Sequence, residues 1–315
     1  METAIPLETR ATWTLRLPRG RALRLTAGHG GNPLVMGVLN LTPDSFSDGG
    51  RWTGPDHAVE GGLRLLAEGA DLLDLGAEST RPGGGVYGEG ARTLPAEEEA
   101  ERLLPVLEKL RRLTDAPLCV DTRKGEVARR ALAAGADLIN DVGALSDPGL
   151  GAAEAAAGCP LVLMHSRGEL RTMQSGIRFG DLLGEVKAEL SQAMDRATAA
   201  GIPAEQLVLD PGIGFGKTFE QNLALIRRLG ELRALGRPLL LGASRKSFIG
   251  KAVEAAGGTL PPPAGRLAGS LAAVAWGAEK GADIVRVHDV AETVQFLAVW
   301  RAISAAAAGE EGGRR

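Results

Sequence analysis

Gly135-Ala136-Asp137-Leu138-Ile139-Asn140-Asp141 compresses a helix stop, a short apolar run and a polar ending into consecutive residues. The glycine suits the position just past a helix, where a left-handed backbone costs it little. The same approach recurs at Gly69-Ala70-Asp71 and at Gly281-Ala282-Asp283, each followed directly by another apolar run. The repetition reads as one helix-to-strand connection used several times.

Outward from these points the whole chain alternates. Short runs rich in Val, Ile and Leu stand at 34–39, 72–75, 118–120, 138–139, 161–164, 207–209, 239–241 and 284–287. Runs this short and this apolar suit strands buried on both faces, as in a parallel sheet. Between them, segments such as 96–113, 181–200 and 219–235 space their apolar residues as amphipathic helices do. Strands alternating with helices in this way predict an α/β fold, a single (β/α)8 TIM barrel, with an open doubly wound sheet as the alternative. Residues 1–33 read as an N-terminal extension holding a small hairpin (13–17, a turn at 18–21, then 22–25) that would plug the N-terminal mouth. The barrel domain is set at 34–304, and 305–315 is expected to be a disordered tail.

Composition narrows the function classes. The 315 residues are 44% hydrophobic with a net charge of −3, enough apolar content for one large core. Opposite charges are interspersed, with no basic face for nucleic acid. No stretch approaches the roughly 18 apolar residues of a membrane span. Glu2 and Glu8 stand where a signal peptide would be basic, so the cytoplasm is the expected location. Cys119 and Cys159 are expected to be buried free thiols.

Polar chemistry gathers at the C-terminal end of each apolar run. In order come Asn40, then Glu78-Ser79-Thr80-Arg81, Asp121, Asn140-Asp141, His165, Asp210, Ser244-Arg245-Lys246, and Arg286 with His288-Asp289. In a parallel barrel all these ends share one mouth, where barrel active sites lie. Asp121, Asn140 and Asp210 offer acceptors and donors to a flat, nitrogen-rich heterocycle, since a carboxylate takes two N–H bonds from an amidine-like edge. Lys246, Arg81, Arg286 and His288 give the same mouth the positive potential that suits a phosphate or diphosphate. The loop at 40–50, with Pro43, Gly49-Gly50 and the lone Phe46, reads as a lid over substrate.

Other signals do not hold. Gly216-Lys217-Thr218 resembles a P-loop ending, but Pro211 stands where the first glycine is required; Thr218 and Gln221 read instead as a capping box. Gly83-Gly84-Gly85-Val86-Tyr87-Gly88 matches a dinucleotide fingerprint in form, yet no helix pattern opens after it. The histidines lack zinc spacing, so any metal is expected to be Mg²⁺ held mainly by substrate phosphate.

From about residue 34 to 290 the chain resembles the dihydropteroate synthase family. The resemblance is carried by Asn40-Leu41-Thr42-Pro43-Asp44-Ser45-Phe46-Ser47-Asp48-Gly49-Gly50, Gly76-Ala77-Glu78-Ser79-Thr80-Arg81-Pro82-Gly83, Asp210-Pro211-Gly212-Ile213-Gly214-Phe215, Ser244-Arg245-Lys246-Ser247 and Arg286-Val287-His288-Asp289. It implies a transferase that joins 6-hydroxymethyl-7,8-dihydropterin diphosphate to 4-aminobenzoate, with the bond to diphosphate breaking first. It implies that Asp121, Asn140, Asp210 and Lys246 bind the pterin, with Met164 and Phe215 packed around it. Asn40 would ligate Mg²⁺, and Arg286 and His288 would hold the diphosphate. Thr80, Arg81, Pro82 and Ser247 would shape the aminobenzoate pocket, and Phe46 with Asp44 and Asp48 would act in the first loop. It further implies a homodimer, with the segment 267–279 as a surface, and a sulfonamide target. Ser166, after His165, departs from the bulkier residue expected there. The competing readings are a methyltetrahydrofolate–corrinoid methyltransferase and a non-catalytic pterin-binding paralogue.

Overall fold

A computed structural model of the chain describes residues 12–26, 32–41, 54–78, 93–169 and 172–310. Its strands are β1 (Thr12–Arg16), β2 (Ala22–Thr26), β3 (Leu34–Asn40), β4 (Leu72–Gly76), β5 (Leu118–Asp121), β6 (Leu138–Asp141), β7 (Leu161–Met164), β8 (Leu207–Asp210), β9 (Leu240–Leu241) and β10 (Ile284–Val287). The helices are α1 (Pro55–Ala67), α2 (Ala96–Leu113), α3 (Gly125–Ala134), α4 (Pro148–Ala157), α5 (Leu182–Ala199), α6 (Phe219–Arg227), α7 (Ser247–Ala255), α8 (Leu267–Glu279) and α9 (Val290–Glu310).

Strands β3 to β10 form an eight-stranded parallel sheet in the order β8-β7-β6-β5-β4-β3-β10-β9. A parallel bridge between Leu209 and Leu239 joins its two ends and closes the barrel. This is the (β/α)8 architecture, and the open-sheet alternative falls. Leu, Val and Ala from the sheet's outer face and the facing sides of the helices form the main core.

The three Gly-Ala-Asp sites share a job that the sequence did not disclose. Their glycines take φ of +104°, +110° and +84°. Each aspartate then accepts a backbone N–H at the start of the adjoining strand: Asp71 from Val35 at 2.8 Å, Asp137 from Leu118 at 2.9 Å and Asp283 from Leu239 at 2.8 Å. A parallel sheet leaves such N–H groups unpaired at its rim, and a buried unpaired donor is costly. The repeat therefore staples adjacent strands at the N-terminal rim.

The hairpin β1–β2 covers that rim. Leu15, Leu17, Leu23 and Leu25 pack against the inward residues Met36, Leu72, Cys119, Leu138, Val162 and Val208, a second core inside the barrel. Gln206 ties the hairpin's edge, accepting from Arg16 N at 2.9 Å and donating to Arg16 O at 2.7 Å. Asp137 is fully buried and pairs with Arg19 and Arg21 of the hairpin and with Arg111 of α2.

One helical segment differs from its reading. The amphipathic stretch 219–235 is α6 followed by a 3-10 helix from Leu229 to Leu235. Gly230 passes close to the backbone at Lys280, where a Cβ would stand 3.1 Å from the carbonyl oxygen, and the chain tightens there. The capping box of Thr218 and Gln221 opens α6 as expected. The last helix continues past Ser304 to Glu310. Both cysteines are free and buried. Among the described residues no helix is long and apolar enough to cross a membrane.

Asp137→Ala is expected to lower the unfolding free energy by about 3 kcal/mol, because it takes the buried carboxylate from Arg111 and from the Leu118 N–H, and a contact from the more exposed Arg19 and Arg21. A denaturation midpoint equivalent to a loss below about 0.5 kcal/mol, the scale of an ordinary surface change, would contradict the staple.

Candidate active site

Parallel register brings the strand ends to one mouth. Asp121, Asn140, His165 and Asp210 end or follow β5, β6, β7 and β8, and all four are buried. Arg286 on β10 reaches across the lumen: its Nε donates to Asp74 at 2.5 Å and its Nη2 to Asp121 at 2.9 Å. Asn140 Nδ2 donates to the same Asp74 oxygen at 3.2 Å. The remaining oxygens of this cluster, Asp121 Oδ1, Asn140 Oδ1 and Asp74 Oδ1, are buried with no hydrogen-bond partner among the described residues. Buried acceptors are almost always paired in a protein, so three orphaned acceptors in one cluster, two of them on the strand-end residues Asp121 and Asn140, mark a place for a ligand's donors.

Charge at this mouth is set by burial. Desolvation pushes the Asp121 carboxyl up to about 7, opposed by Arg286 and aided by the negative charge of Asp74. Asp210 is raised as well, again by burial, with Lys246 pulling the other way. The Lys246 ammonium is lowered to about 8 by burial, with Asp210 opposing. Its Nζ donates to the carbonyl of Ile213 and stands 4.7 Å from the centre of the Phe215 ring.

Beside these polar groups lies an apolar platform. Met164 and Phe215 pack with Val142 and Met173 into a buried cluster of their own. Met164 and Phe215 were expected there; Val142 and Met173 come from loops after β6 and β7, where periodicity gives no signal. Flat apolar contact beside orphaned acceptors suits a planar heterocycle.

The loop after β8 is built around a lysine that the sequence left as a failed P-loop ending. Lys217 is buried, and its Nζ donates to Gly212 O at 3.0 Å, Phe215 O at 2.9 Å and His165 Nδ1 at 2.8 Å. Burial lowers its ammonium to about 7. A Cβ at Gly212 would stand 1.8 Å from the His165 carbonyl oxygen, so only glycine lets the loop lie against β7. Asp210 Oδ1 accepts the Gly212 N–H at 2.7 Å and fixes the turn from inside. His165 Nε2 pairs with Glu189 at 2.9 Å. Ser166 donates to Val142 O at 3.0 Å, so the small residue ties β7 to the platform.

On the opposite side, Ser244 Oγ lies 3.1 Å from His288 Nδ1 and accepts from His288 N at 3.3 Å. With the hydroxyl donating to Nδ1, the ring proton of the neutral imidazole stands on Nε2. Burial, then the charges of Arg286 and Arg245, hold His288 down to about 3. Arg245 has a φ of 58° and is clamped by Asp289, which fixes the turn that presents Lys246. Ser247 opens α7 immediately after it.

Two strand-end residues serve structure. Asp141 accepts from Gly143 N at 2.7 Å and Leu145 N at 2.5 Å, holding a turn in which Ala144 and Leu145 have φ of 49° and 60°. Glu78 accepts from Leu94 N at 2.8 Å and pairs with Arg123 and Lys124, anchoring the chain where it returns to α2. Asn40 ends β3 with its side chain exposed. Asp44, Phe46, Asp48, Thr80, Arg81 and Pro82 lie outside the described residues. Among the described residues no cluster of three or more His, Cys, Asp or Glu forms a metal cage. The single carboxamide of Asn40 fits a hard cation that keeps water and phosphate as its other ligands.

His165 is held down to about 2, chiefly by burial and then by Lys217. An unfolded chain binds protons at both imidazoles below about 6.5 and the folded chain does not, so their contribution to stability is complete above that pH and falls away as pH drops toward 3. Neither His165 nor His288 is expected to gain a proton between pH 5 and 8, as read from the ring nitrogen chemical shifts, which separate imidazole protonation from the ionisation of the neighbouring Lys217. A midpoint near 6.5 for either ring would contradict the burial of its uncharged form.

Comparison with known proteins agrees with this geometry. The family model described as "Pterin binding enzyme" matches residues 36–288. A dihydropteroate synthase of Synechocystis is 46% identical over 272 residues, covering 85% of this chain and 90% of that protein. The solved structure of Xanthomonas albilineans dihydropteroate synthase with 4-aminobenzoic acid superposes with a TM-score of 0.82 at 45% identity, covering 94% of this chain and 99% of the other. A second structure of that enzyme, in complex with 7,8-dihydropteroate, gives a TM-score of 0.78 at 43% identity, covering 93% of this chain and 99% of the other. With a match across the barrel and relatives this similar over nearly their whole length, the chain belongs to the dihydropteroate synthase family of pterin-binding enzymes.

Proposed function

We propose that the chain condenses 6-hydroxymethyl-7,8-dihydropterin diphosphate with 4-aminobenzoate to give 7,8-dihydropteroate and diphosphate. The observation that carries this reading is the pair of orphaned buried acceptors on Asp121 and Asn140 beside the Met164–Phe215 platform. A pterin brings ring and amino N–H donors and a flat apolar face to such a site. Asp210 and Lys246 complete the contacts, one accepting and one donating.

The chemistry needs no protein nucleophile. The bond from the pterin methylene to the diphosphate oxygen breaks, and the leaving group keeps the electron pair. The aniline lone pair then closes on the methylene carbon, and the N–H proton passes to the released diphosphate or to solvent. The protein's part is to position the two substrates and to stabilise negative charge as it grows on the leaving group. Arg286 supplies a permanent cation and His288 a neutral N–H donor at Nε2. Mg²⁺, held by Asn40 and diphosphate oxygens, would offset leaving-group charge when bound. Thr80, Arg81, Pro82 and Ser247 shape the aminobenzoate pocket, with Phe46, Asp44 and Asp48 on the loop that closes over it. The same pocket makes the chain a sulfonamide target. A cytoplasmic location fits a catalyst of two small soluble substrates.

Assembly as a homodimer is part of the same reading. Leu223, Phe248, Val253 and Trp276 line an apolar groove between α6, α7 and α8, and Leu223, Val253 and Trp276 are exposed large apolar side chains. Exposed apolar area of this kind on a barrel's helical wall suits an isologous contact between two copies.

Purified protein with both substrates is expected to release diphosphate only when both 4-aminobenzoate and Mg²⁺ are present. Lys246→Ala should cut that turnover more than about tenfold, because it removes a charged hydrogen bond worth roughly 1.5–3 kcal/mol. Release without any need for 4-aminobenzoate, or pterin binding with no turnover, would overturn the reading. Sedimentation velocity is expected to give a dimer that Trp276→Arg converts to monomer; a wild-type monomer at tens of micromolar would exclude this interface.

A further inference from the structure

Asp74 stands in the middle of β4 with no exposed surface. Its Oδ2 accepts from Arg286 Nε at 2.5 Å and from Asn140 Nδ2 at 3.2 Å, so one oxygen orients two side chains of the mouth. Register sets it beside Cys119 on β5, whose thiol is pushed well above its ordinary value by burial and then by the charge of Asp74. Nothing titratable at neutral pH therefore shares the carboxylate with Arg286 from that side.

The Arg286 guanidinium bridges two strands, with Nε on Asp74 and Nη2 on Asp121. In this state the guanidinium fills one oxygen of Asp121, the residue to which the pterin's donors would come. A ligand edge that takes both oxygens of Asp121 competes with Nη2 for Oδ2. A guanidinium stripped of its only carboxylate inside a protein is strongly unfavourable, so a second partner decides whether the exchange is feasible.

We propose that Asp74 is a positioning residue that keeps Arg286 paired within the barrel while Asp121 passes from Arg286 to the pterin. The role rests on the pterin reading of Asp121 given under Proposed function. With Asp74 in place, Arg286 stays compensated through Nε, and Nη2 becomes available to the leaving diphosphate. Without the Asp74 charge, Arg286 has Asp121 alone and competes with the substrate for it.

Among the described residues the charged groups facing Asp121 include Arg286 from β10, Asp74 from β4, Glu99 from α2, Asp141 from β6 and Lys246 just before α7. Removing the Asp74 charge takes away a negative neighbour, so the Asp121 carboxyl should ionise at lower pH.

Asp74→Asn keeps the side-chain shape and an acceptor for Asn140, and it leaves Arg286 paired with Asp121, so no guanidinium is buried alone. The expected result is a Michaelis constant for the pterin diphosphate raised at least tenfold, with that for 4-aminobenzoate within twofold of wild type. The acid limb of the pterin kcat/KM profile should move to lower pH. In an Arg286→Gln background, where the competing cation is gone, Asp74→Asn should add less than a twofold loss of pterin affinity, measured with 6-hydroxymethyl-7,8-dihydropterin itself. Wild-type pterin constants in Asp74→Asn, an unmoved limb, or a further tenfold loss in the Arg286→Gln background would each overturn the role. Should the single variant not fold, the double variant buries neither charge and still decides by that last comparison. A wild-type protein that releases no diphosphate would instead overturn the synthase reading, whereas normal wild-type turnover with an unaffected Asp74→Asn would remove only Asp74 from it.

Discussion

Arg286 sits inside a barrel with a carboxylate on either side, and that arrangement sets the terms for the rest of the mouth. A parallel barrel delivers every strand end to one place, so polar side chains there are crowded and poorly hydrated. Each charge must be answered by a neighbour or suppressed. Asp74 and Asp121 answer Arg286, Lys246 stands by Asp210, and Glu189 takes the far side of His165 from Lys217. The suppression is equally visible: the Asp121 carboxyl is raised to about 7, and His288 is held down to about 3. What remains among the described residues is a site with three open acceptors beside the persistent cation of Arg286.

The opposite rim does different work with related residues. There aspartates accept strand N–H groups, and Asp137 also gathers arginines from the hairpin and α2. The leucines of the hairpin close the lumen below the site. Stability is thus concentrated at one end of the strands and chemistry at the other. The strained turns at Ala144–Leu145 and at Arg245 stand at the chemical end, each held by an aspartate.

Much of this was open to reading in the chain. Short apolar runs with polar endings disclosed the strands and their shared mouth, because a buried parallel strand tolerates functional groups only at its end. Asp74 escaped that logic. It stands inside the run Leu72-Leu73-Asp74-Leu75, where only the closed barrel shows that it turns inward toward Arg286. Lys217 was legible only as a motif that failed, since its partners are backbone carbonyls of its own loop and of β7. Met173 and Val142 join the platform from loops whose paths no periodicity reports. The choice of 4-aminobenzoate rests on family resemblance, because polar groups at the strand ends do not by themselves select the second substrate.

The central claim is that the orphaned acceptors of Asp121 and Asn140 await a pterin and that Arg286 yields Asp121 to it. A crystal structure of the protein with 6-hydroxymethyl-7,8-dihydropterin bound tests this most directly. The expected result is a ring lying on Met164 and Phe215, hydrogen-bonded to Asp121, Asn140 and Asp210, with Arg286 still on Asp74 and released from Asp121. A ring seated elsewhere, or one bound while Arg286 keeps its hold on Asp121, would contradict it.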